Sequence, residues 1–489
     1  MSGWLSITNE GVTMKQKFKF PVLGTGVLVG ALCAVALPAQ ADNSAMIELL
    51  KVLRDKGTLS ESDYQMLKNA SGTEAEKERA ELVTAKEEMK EEAKKEIAAE
   101  EKFTVKTGTK GLTVISKDGN FKFGVGGRMQ ADTAFFFPNM PYGNGAEIRR
   151  VRLKGYGTIY HDWKYKVEID FADGAELTDG WLAYTGFKPL VLKVGHQKVP
   201  FSLQSLTSSN WQVFQERALT DAFIDNGESG RRRLGITGLL GGDLFGNDYW
   251  TFGTGFFGQG ANDDGAFNES WGVAARATYA PIANLDDREL VAFGGSVYYR
   301  DLNAHSDLRI RARPEAHISG VRLVDTGVIE TANNFRLANA EFTTLWGPWH
   351  AQAEYYNERV SRSNGLSALN FNGFYVQTGF FLTGESRHYN KKYASYKRVK
   401  PFNPVGLGGW GAWEIAARYS YMDLASNNNF GGLERDFTFG LNWWATDNVM
   451  FRFNYVNAKA FPASLRTPGL GLGRNPSVNI LEGRAQVVF

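Results

Sequence analysis

The sequence predicts an all-β fold, a 16-stranded antiparallel transmembrane β-barrel preceded by a short N-terminal helical, coiled-coil-like segment. Repeated alternation carries that expectation. Trp163-Lys-Tyr-Lys-Val-Glu-Ile-Asp-Phe171 sets Trp163, Tyr165, Val167, Ile169 and Phe171 on one face and Lys164, Lys166, Glu168 and Asp170 on the other, because successive strand side chains point to opposite faces. The same grammar recurs at 271–279, 413–421 and 437–443, each bounded by aromatic residues as girdles at two membrane interfaces require. The closing segment Arg484-Ala-Gln-Val-Val-Phe489 puts Ala485, Val487 and Phe489 on one side and Arg484 and Gln486 on the other, which suits a last barrel strand. A soluble half-buried sheet also alternates, but its apolar face is mostly Val, Ile and Leu, without aromatics gathered at strand ends.

Composition agrees. The chain has 489 residues, 54 of them Gly, and 13% aromatics, with a negative mean hydropathy. Beyond the N-terminus no apolar run approaches the ~20 residues of a spanning helix, whereas barrels hide apolar residues in alternate positions. A net charge of +2 gives no global attraction for nucleic acid, so any useful charge must be local.

Taken in order, Met14-Lys-Gln-Lys-Phe-Lys precedes an apolar stretch at 21–37 and then Ala39-Gln40-Ala41. This reads as a signal peptide over 1–41, with Met14 rather than Met1 as initiator, directing the chain to the outer membrane. Cys33, the single cysteine, leaves with it, so the mature chain has no thiol. Residues 42–102 read as a periplasmic helical segment. Met46-Ile-Glu-Leu-Leu-Lys-Val-Leu is helical in period, Asp55-Lys-Gly57 breaks it, and Ser60 with Asp63 forms a capping box for a second helix. From 74 to 102 the chain is nearly all Glu, Lys and Ala, with Leu82, Met89, Ala93 and Ile97 as a stripe; this fits a coiled coil or a solvated spacer. Residues 103–489 are the barrel domain, with strand and turn alternating from about Phe121 and gaps such as Gly260-Ala-Asn-Asp-Asp-Gly265 and Ser426-Asn-Asn-Asn-Phe-Gly-Gly432. At ~10 residues per strand plus turns and loops, roughly 370 residues suit about 16 strands, enough to enclose water.

Face assignment places charge in the lumen. In Ile148-Arg-Arg-Val-Arg-Leu-Lys-Gly-Tyr156, Val151 and Leu153 mark the lipid side, so Arg150, Arg152 and Lys154 point inward. Arg149 falls on the outward parity and is expected beyond the hydrocarbon band, since a lipid-facing Arg at the midplane costs about 2–4 kcal/mol. Arg276, Arg300, Arg418 and Arg452 also lie on polar faces. The densest cluster is Asp307-Leu-Arg-Ile-Arg-Ala-Arg-Pro314, where Arg309, Arg311 and Arg313 alternate with Leu308, Ile310 and Ala312. If extended, it presents three guanidiniums, whose planar forks hold phosphate or carboxylate oxygens bidentately. The bland alternative is that such arginines brace the wall against neighbouring carboxylates.

In these residues the sequence resembles the phosphate-selective porin O and P group of Gram-negative outer membranes. Matching segments include Gly126-Gly-Arg-Met-Gln-Ala-Asp132, Ile148-Arg-Arg-Val-Arg152, His161-Asp-Trp-Lys-Tyr-Lys166, Leu206-Thr-Ser-Ser-Asn-Trp211, Arg309-Ile-Arg-Ala-Arg313 and Gly440-Leu-Asn-Trp443. The resemblance implies a homotrimeric channel for inorganic anions such as phosphate, embedded in outer-membrane lipid, with no cofactor. It implies a lumenal arginine ladder, matched by Arg309, Arg311 and Arg313, leading to a narrow basic zone on a folded-in loop, matched by Arg149 and Arg150. Phosphate-selective members carry Ser-Ser-Lys-Trp in that loop; here Ser208-Ser209-Asn210-Trp211 lacks the lysine. Arg152 and Lys198 stand where those members have uncharged or acidic residues, so charge is relocated and anion preference is separated from phosphate specificity. The expected narrow site comprises Arg150, Arg152, Lys198, Ser208 and Ser209. Alternatives are a general or carboxylate-selective porin, or a barrel whose periplasmic segment tethers it. An enzymatic role finds no support: the six histidines show no metal spacing, and His350, inward beside Gln352 and Glu354, reads as a solvated wall residue.

Overall fold

The computed structural model describes residues 43–100, 103–139, 141–226, 230–261, 270–302, 308–461 and 476–489. The expected signal peptide, Cys33, Asp307 and most of the turn at 260–265 lie outside the described residues. The chain divides after Glu100 into two compact units.

In the first unit, α1 (Asn43–Asp55) and α2 (Glu61–Glu100) form the expected pair. The Ser60 hydroxyl accepts from the Asp63 N–H at 3.2 Å and donates to its carboxylate at 2.6 Å, which satisfies an otherwise orphaned helix-start donor. Arg54 lies over the buried Tyr64 ring at 4.7 Å and ties the helices together. The second helix and the Glu/Lys/Ala stretch, read separately from the sequence, are one 40-residue helix. Leu82 and Met89 are exposed on it; the side chains of Ala93 and Ile97 lie outside the described residues.

The second unit opens with a hairpin of β1 (Phe103–Gly108) and β2 (Gly111–Ser116), which alternation from Phe121 onward did not anticipate. The barrel follows with β3 (Lys122–Phe137), β4 (Gly145–Ile159), β5 (Trp163–Asp170), β6 (Glu176–Tyr184) and β7 (Val191–Lys198). After the short helix α3 (Leu203–Leu206) come β8 (Arg232–Gly242), β9 (Tyr249–Phe257), β10 (Gly272–Ile282) and β11 (Glu289–Asp301). A small pair, β12 (Arg311–Ala312) and β13 (Val324–Asp325), precedes β14 (Ala332–Trp346), β15 (Trp349–Arg362) and β16 (Leu369–Phe381). Another, β17 (Tyr389–Asn390) and β18 (Ser395–Tyr396), precedes β19 (Ala412–Ser426), β20 (Asn429–Trp444), β21 (Val449–Phe461) and β22 (Ser477–Val488). The 18-stranded sheet is thus the hairpin plus sixteen antiparallel barrel strands, as the sequence predicts. The gap expected at 426–432 is largely strand, because Asn427 takes a positive φ of 49° and closes the turn between Ser426 and Asn429.

Closure occurs where β22 returns antiparallel to β3, with Asn479 opposite Phe137 and Val488 opposite Arg128. The hairpin occupies the rest of the same edge, with Leu112 opposite Val125 and Ile115 opposite Lys122. At the junction Phe489 and Gly127 exchange backbone hydrogen bonds of 2.7 and 2.9 Å. A Cβ on Gly126 would lie 2.6 Å from the Phe489 carbonyl oxygen, so glycine is required for the last strand to seat.

The outer surface follows the predicted parity, with Phe135, Val167, Val273, Phe439 and Phe453 exposed. Aromatic residues gather at both rims. Trp413 and Trp443 stack at 5.3 Å at the end holding Phe489, and Phe256 and Trp271 stack at 6.0 Å at the other.

Inside, the lumen is only partly open. Connections 199–231 and 302–331 enter from the rim opposite Phe489, and 382–411 enters from the Phe489 rim. Phe201, Phe223, Leu308 and Ile310 of the first two pack against inward Tyr298, Phe335, Tyr356, Phe371 and Tyr375 of β11 and β14–β16. The inner face expected to be polar is therefore apolar there, and the open passage is displaced toward β3–β9. We expect Gly126→Val to destabilise the barrel by about 1–3 kcal/mol through overpacking. The fraction of compact species on unheated against heated gels measures this.

Candidate functional site

Segment 199–231 crosses the lumen because charged wall residues hold it by its backbone. Glu341 accepts from the Leu203 N–H and Glu354 from the Gln204 N–H, both at 2.8 Å, which satisfies the first donors of α3. Lys198 donates to the carbonyls of Ser205 at 2.5 Å, Leu206 at 3.1 Å and Thr207 at 3.3 Å. Across the lumen Arg452 donates to the carbonyls of Asn210 at 3.0 Å and Gln212 at 2.7 Å. Arg418 donates to the Glu216 carbonyl at 3.1 Å while its guanidinium pairs with Glu315 of 302–331, so one wall arginine fixes two inner segments.

Two adjoining cavities of about 530 and 540 Å³ remain, and Arg217 lines both. Burial and the adjacent Arg231 pull the Arg217 guanidinium down to about 10, so it stays charged at neutral pH.

The cavity beside 302–331 is lined by Arg149, Arg217, Arg309, Arg311, Arg313 and Arg322. The three alternating arginines do not behave alike. Arg309 is spanned by Asp325 with contacts of 2.8 and 2.5 Å, and is neutralised. Arg313 donates to the Ser319 carbonyl at 3.0 Å, and Arg322 to the Gly320 carbonyl at 3.3 Å. Arg311 is exposed and, like Arg313 and Arg322, forms no ion pair among the described residues. Burial and then Arg149 hold His317 down to about 3, so it meets Glu147 at 2.7 Å as a neutral imidazole and adds no charge.

Arg149 corrects a parity expectation. Gln130 lies opposite Arg150 and Ala131 opposite Ile148, leaving Arg149 as the extra residue of a β-bulge, which re-aims a side chain. It points inward and grips Glu216 at 3.0 and 3.3 Å. Ile148 and Val151, three residues apart and both outward, were the sequence signal for that bulge. Glu216 is also met by Arg484 at 2.7 Å and lies 3.7 Å from Arg150.

The second cavity, toward the Phe489 rim, holds Arg128, Arg150, Arg152, Lys154, Lys198, Ser208, Ser209 and Asn210. Arg150 donates to Gln130 at 2.9 Å. Arg152 is neutralised by Asp170 at 2.6 Å and Glu168 at 3.3 Å, so it braces β4 against β5. Ser208 accepts from the Asn210 N–H at 3.3 Å. Arg128 donates to Ser209 at 2.8 Å and to the Asn210 amide oxygen, bringing a guanidinium from the wall to the loop position that lacks its own cation.

The structure therefore brings Arg149, Arg309, Arg311 and Arg313 to one cavity and Arg150, Arg152, Lys198 and Ser208–Asn210 to the other, with Arg152, Arg309 and Lys198 acting as struts. Arg276 and Arg418 are struts as well, paired with Glu341 and Glu315. His350 is buried against Glu414 at 2.5 Å rather than solvated. Sequence reasoning missed Arg128, Glu216, Arg217 and Arg322. Arg128 was legible from the strand parity of Met129, but the other three lie in segments without period.

Residues 123–489 match the family described as phosphate-selective porin O and P. An uncharacterized protein of Caulobacter vibrioides is 33% identical over 325 residues, 64% of this chain and 62% of that protein, so the chain spans less than two thirds of that relative. Porin O of Pseudomonas aeruginosa is 29% identical over 386 residues, covering 71% of this chain and 85% of that one. An anion-selective porin from Comamonas acidovorans, a solved structure, is 12% identical with a TM-score of 0.49 over 76% of this chain and 100% of that one.

Replacing Glu216 by Gln leaves Arg149 and Arg150 without a carboxylate. Breaking a buried pair costs about 3–5 kcal/mol. We expect thermal stability to fall by that order and to recover partly in phosphate, which supplies the lost negative charge; melting followed by circular dichroism with and without phosphate measures both effects.

Proposed function

The chain belongs to the phosphate-selective porin O and P family, which makes it a channel of the Gram-negative outer membrane, and on that premise we propose that it passes anions by diffusion down their gradient, inorganic phosphate among them. One observation carries the reading: after the ion pairs are removed, the charged side chains left lining the two cavities are cations. They include Arg311, Arg313 and Arg322 in one cavity and Arg128, Lys154, Lys164 and Lys193 in the other, while Arg217 between the two is partly compensated by Asp221 at 3.8 Å. No energy source is needed.

Confinement gives these charges their weight. A unit charge pair at 4 Å is worth about 1 kcal/mol in water and about 4 kcal/mol at an effective dielectric near 20. Conduction also needs several moderate sites rather than one tight one, and a row of cations on separate elements supplies them. Arg149 and Arg150 act at the junction as a partly compensated pair around Glu216. Arg152, Lys198 and Arg309 hold the walls and the loop that shape the passage, while Ser208, Ser209 and Asn210 offer polar contacts beside Arg128. The working form we propose is a homotrimer.

The triple substitution of Arg311, Arg313 and Arg322 by Ala should lower the anion-to-cation permeability ratio at least about fivefold, equivalent to about 1 kcal/mol. Arg309→Ala alone should lower it too, because it frees Asp325. The zero-current potential across a salt gradient in planar bilayers measures both, and an unchanged ratio in the triple variant would refute the assignment.

A further inference from the structure

The lining of the cavity toward the Phe489 rim is not cationic throughout. Trp181 and Ala183 of β6, Val191 of β7, Leu239 of β8, and Pro200 and Leu206 of the inner segment give it an apolar part. Strand register makes most of this a continuous patch. Val191 lies opposite Leu239, and Leu239 opposite Gly253. A Cβ on Gly253 would meet Leu239 at 3.4 Å and Pro200 at 3.6 Å, so the absent side chain leaves those two as the floor. The same register frames the patch with ammonium groups. Lys166 lies opposite Trp181, Lys164 opposite Ala183 on one side, and Lys193 opposite Ala183 on the other. The Lys193 ammonium stands 5.4 Å from the Trp181 ring centre. Lys166 is held by Asp179 at 2.6 Å and Glu168 at 3.1 Å, whereas Lys164 and Lys193 pair with no carboxylate among the described residues.

We infer that the anions this cavity takes best carry a flat apolar body beside the charge: an aryl carboxylate, sulfonate or phosphate rather than a bare oxyanion. The inference rests on the anion reading of the same passage. A hydrated oxyanion gains nothing from an apolar row and loses hydration against it. An aromatic ring laid on Trp181 stacks and removes apolar surface from water, while Lys164 and Lys193 receive the charged head. Trp211, with Arg398 over its ring at 5.0 Å, lines the same cavity and repeats the pairing of ring and cation. A volume of about 530 Å³ exceeds the need of a small oxyanion and falls among sites that enclose small organic molecules, about 300–1,000 Å³.

The test compares half-blocking concentrations for chloride current through the full-length chain in planar bilayers, phenylphosphonate against methylphosphonate and benzoate against acetate. Each aryl member should block at a concentration at least about tenfold lower than its methyl partner. Trp181→Ala should erase that difference and Trp181→Phe keep it; Leu239→Asn, which keeps the ring but wets the floor, should reduce it and serves if the alanine variant does not insert. Equal half-blocking concentrations within each pair in the unaltered protein would overturn the inference. A zero-current potential on the anion side in that case leaves the anion reading standing, whereas a potential on the cation side removes both.

Discussion

A cylinder of sixteen strands encloses more space than its own inward side chains can fill, and everything else in this molecule follows from how that space is occupied. Three connections turn inward to fill part of it. Their backbone donors and acceptors must then be satisfied away from bulk water, and the wall supplies the partners as charged groups: Glu341 and Glu354 for the start of α3, Arg452 and Arg418 for the loop beyond it. Charge-assisted hydrogen bonds of this kind are the strong ones. The loop that narrows the passage is fixed by the wall rather than by its own structure.

The same economy of charge separates scaffold from passage. Arg276, Arg418 and Arg484 meet Glu341, Glu315 and Asp132 inside the barrel, where an unpaired partner would be costly. The carboxylates that line the two cavities are consumed in such pairs, whereas Glu358, Glu434 and Asp436 are buried in the wall elsewhere without an ion pair. Cations that line the cavities without one lie on β3, β4, β5 and β7 and among residues 308–331. The total of +2 gives no sign of this local grouping of cations.

How much of this was legible follows from period. Two-residue alternation fixed the outward faces, the closing strand ending at Phe489 and the inward direction of Arg150, Arg152 and Lys154, because a buried face specifies register strongly. It failed at Arg149, where a bulge resets parity. It also could not separate Arg309, clamped by Asp325, from Arg311, two residues on and unpaired, since that difference depends on the course of an irregular segment. The contact of Glu216 with Arg484 joins residues 268 apart, and no local pattern announces it. The inward Tyr298, Phe335, Tyr356 and Tyr375 read as wall residues until the segments they bury are known.

The most direct test of a passage governed by its unpaired cations is the zero-current potential of the unaltered channel across a salt gradient, measured as ionic strength rises. Screening shortens the reach of exposed charges. The account predicts a potential on the anion side at low salt that declines steadily as salt increases; a potential near zero or on the cation side at low salt would contradict it.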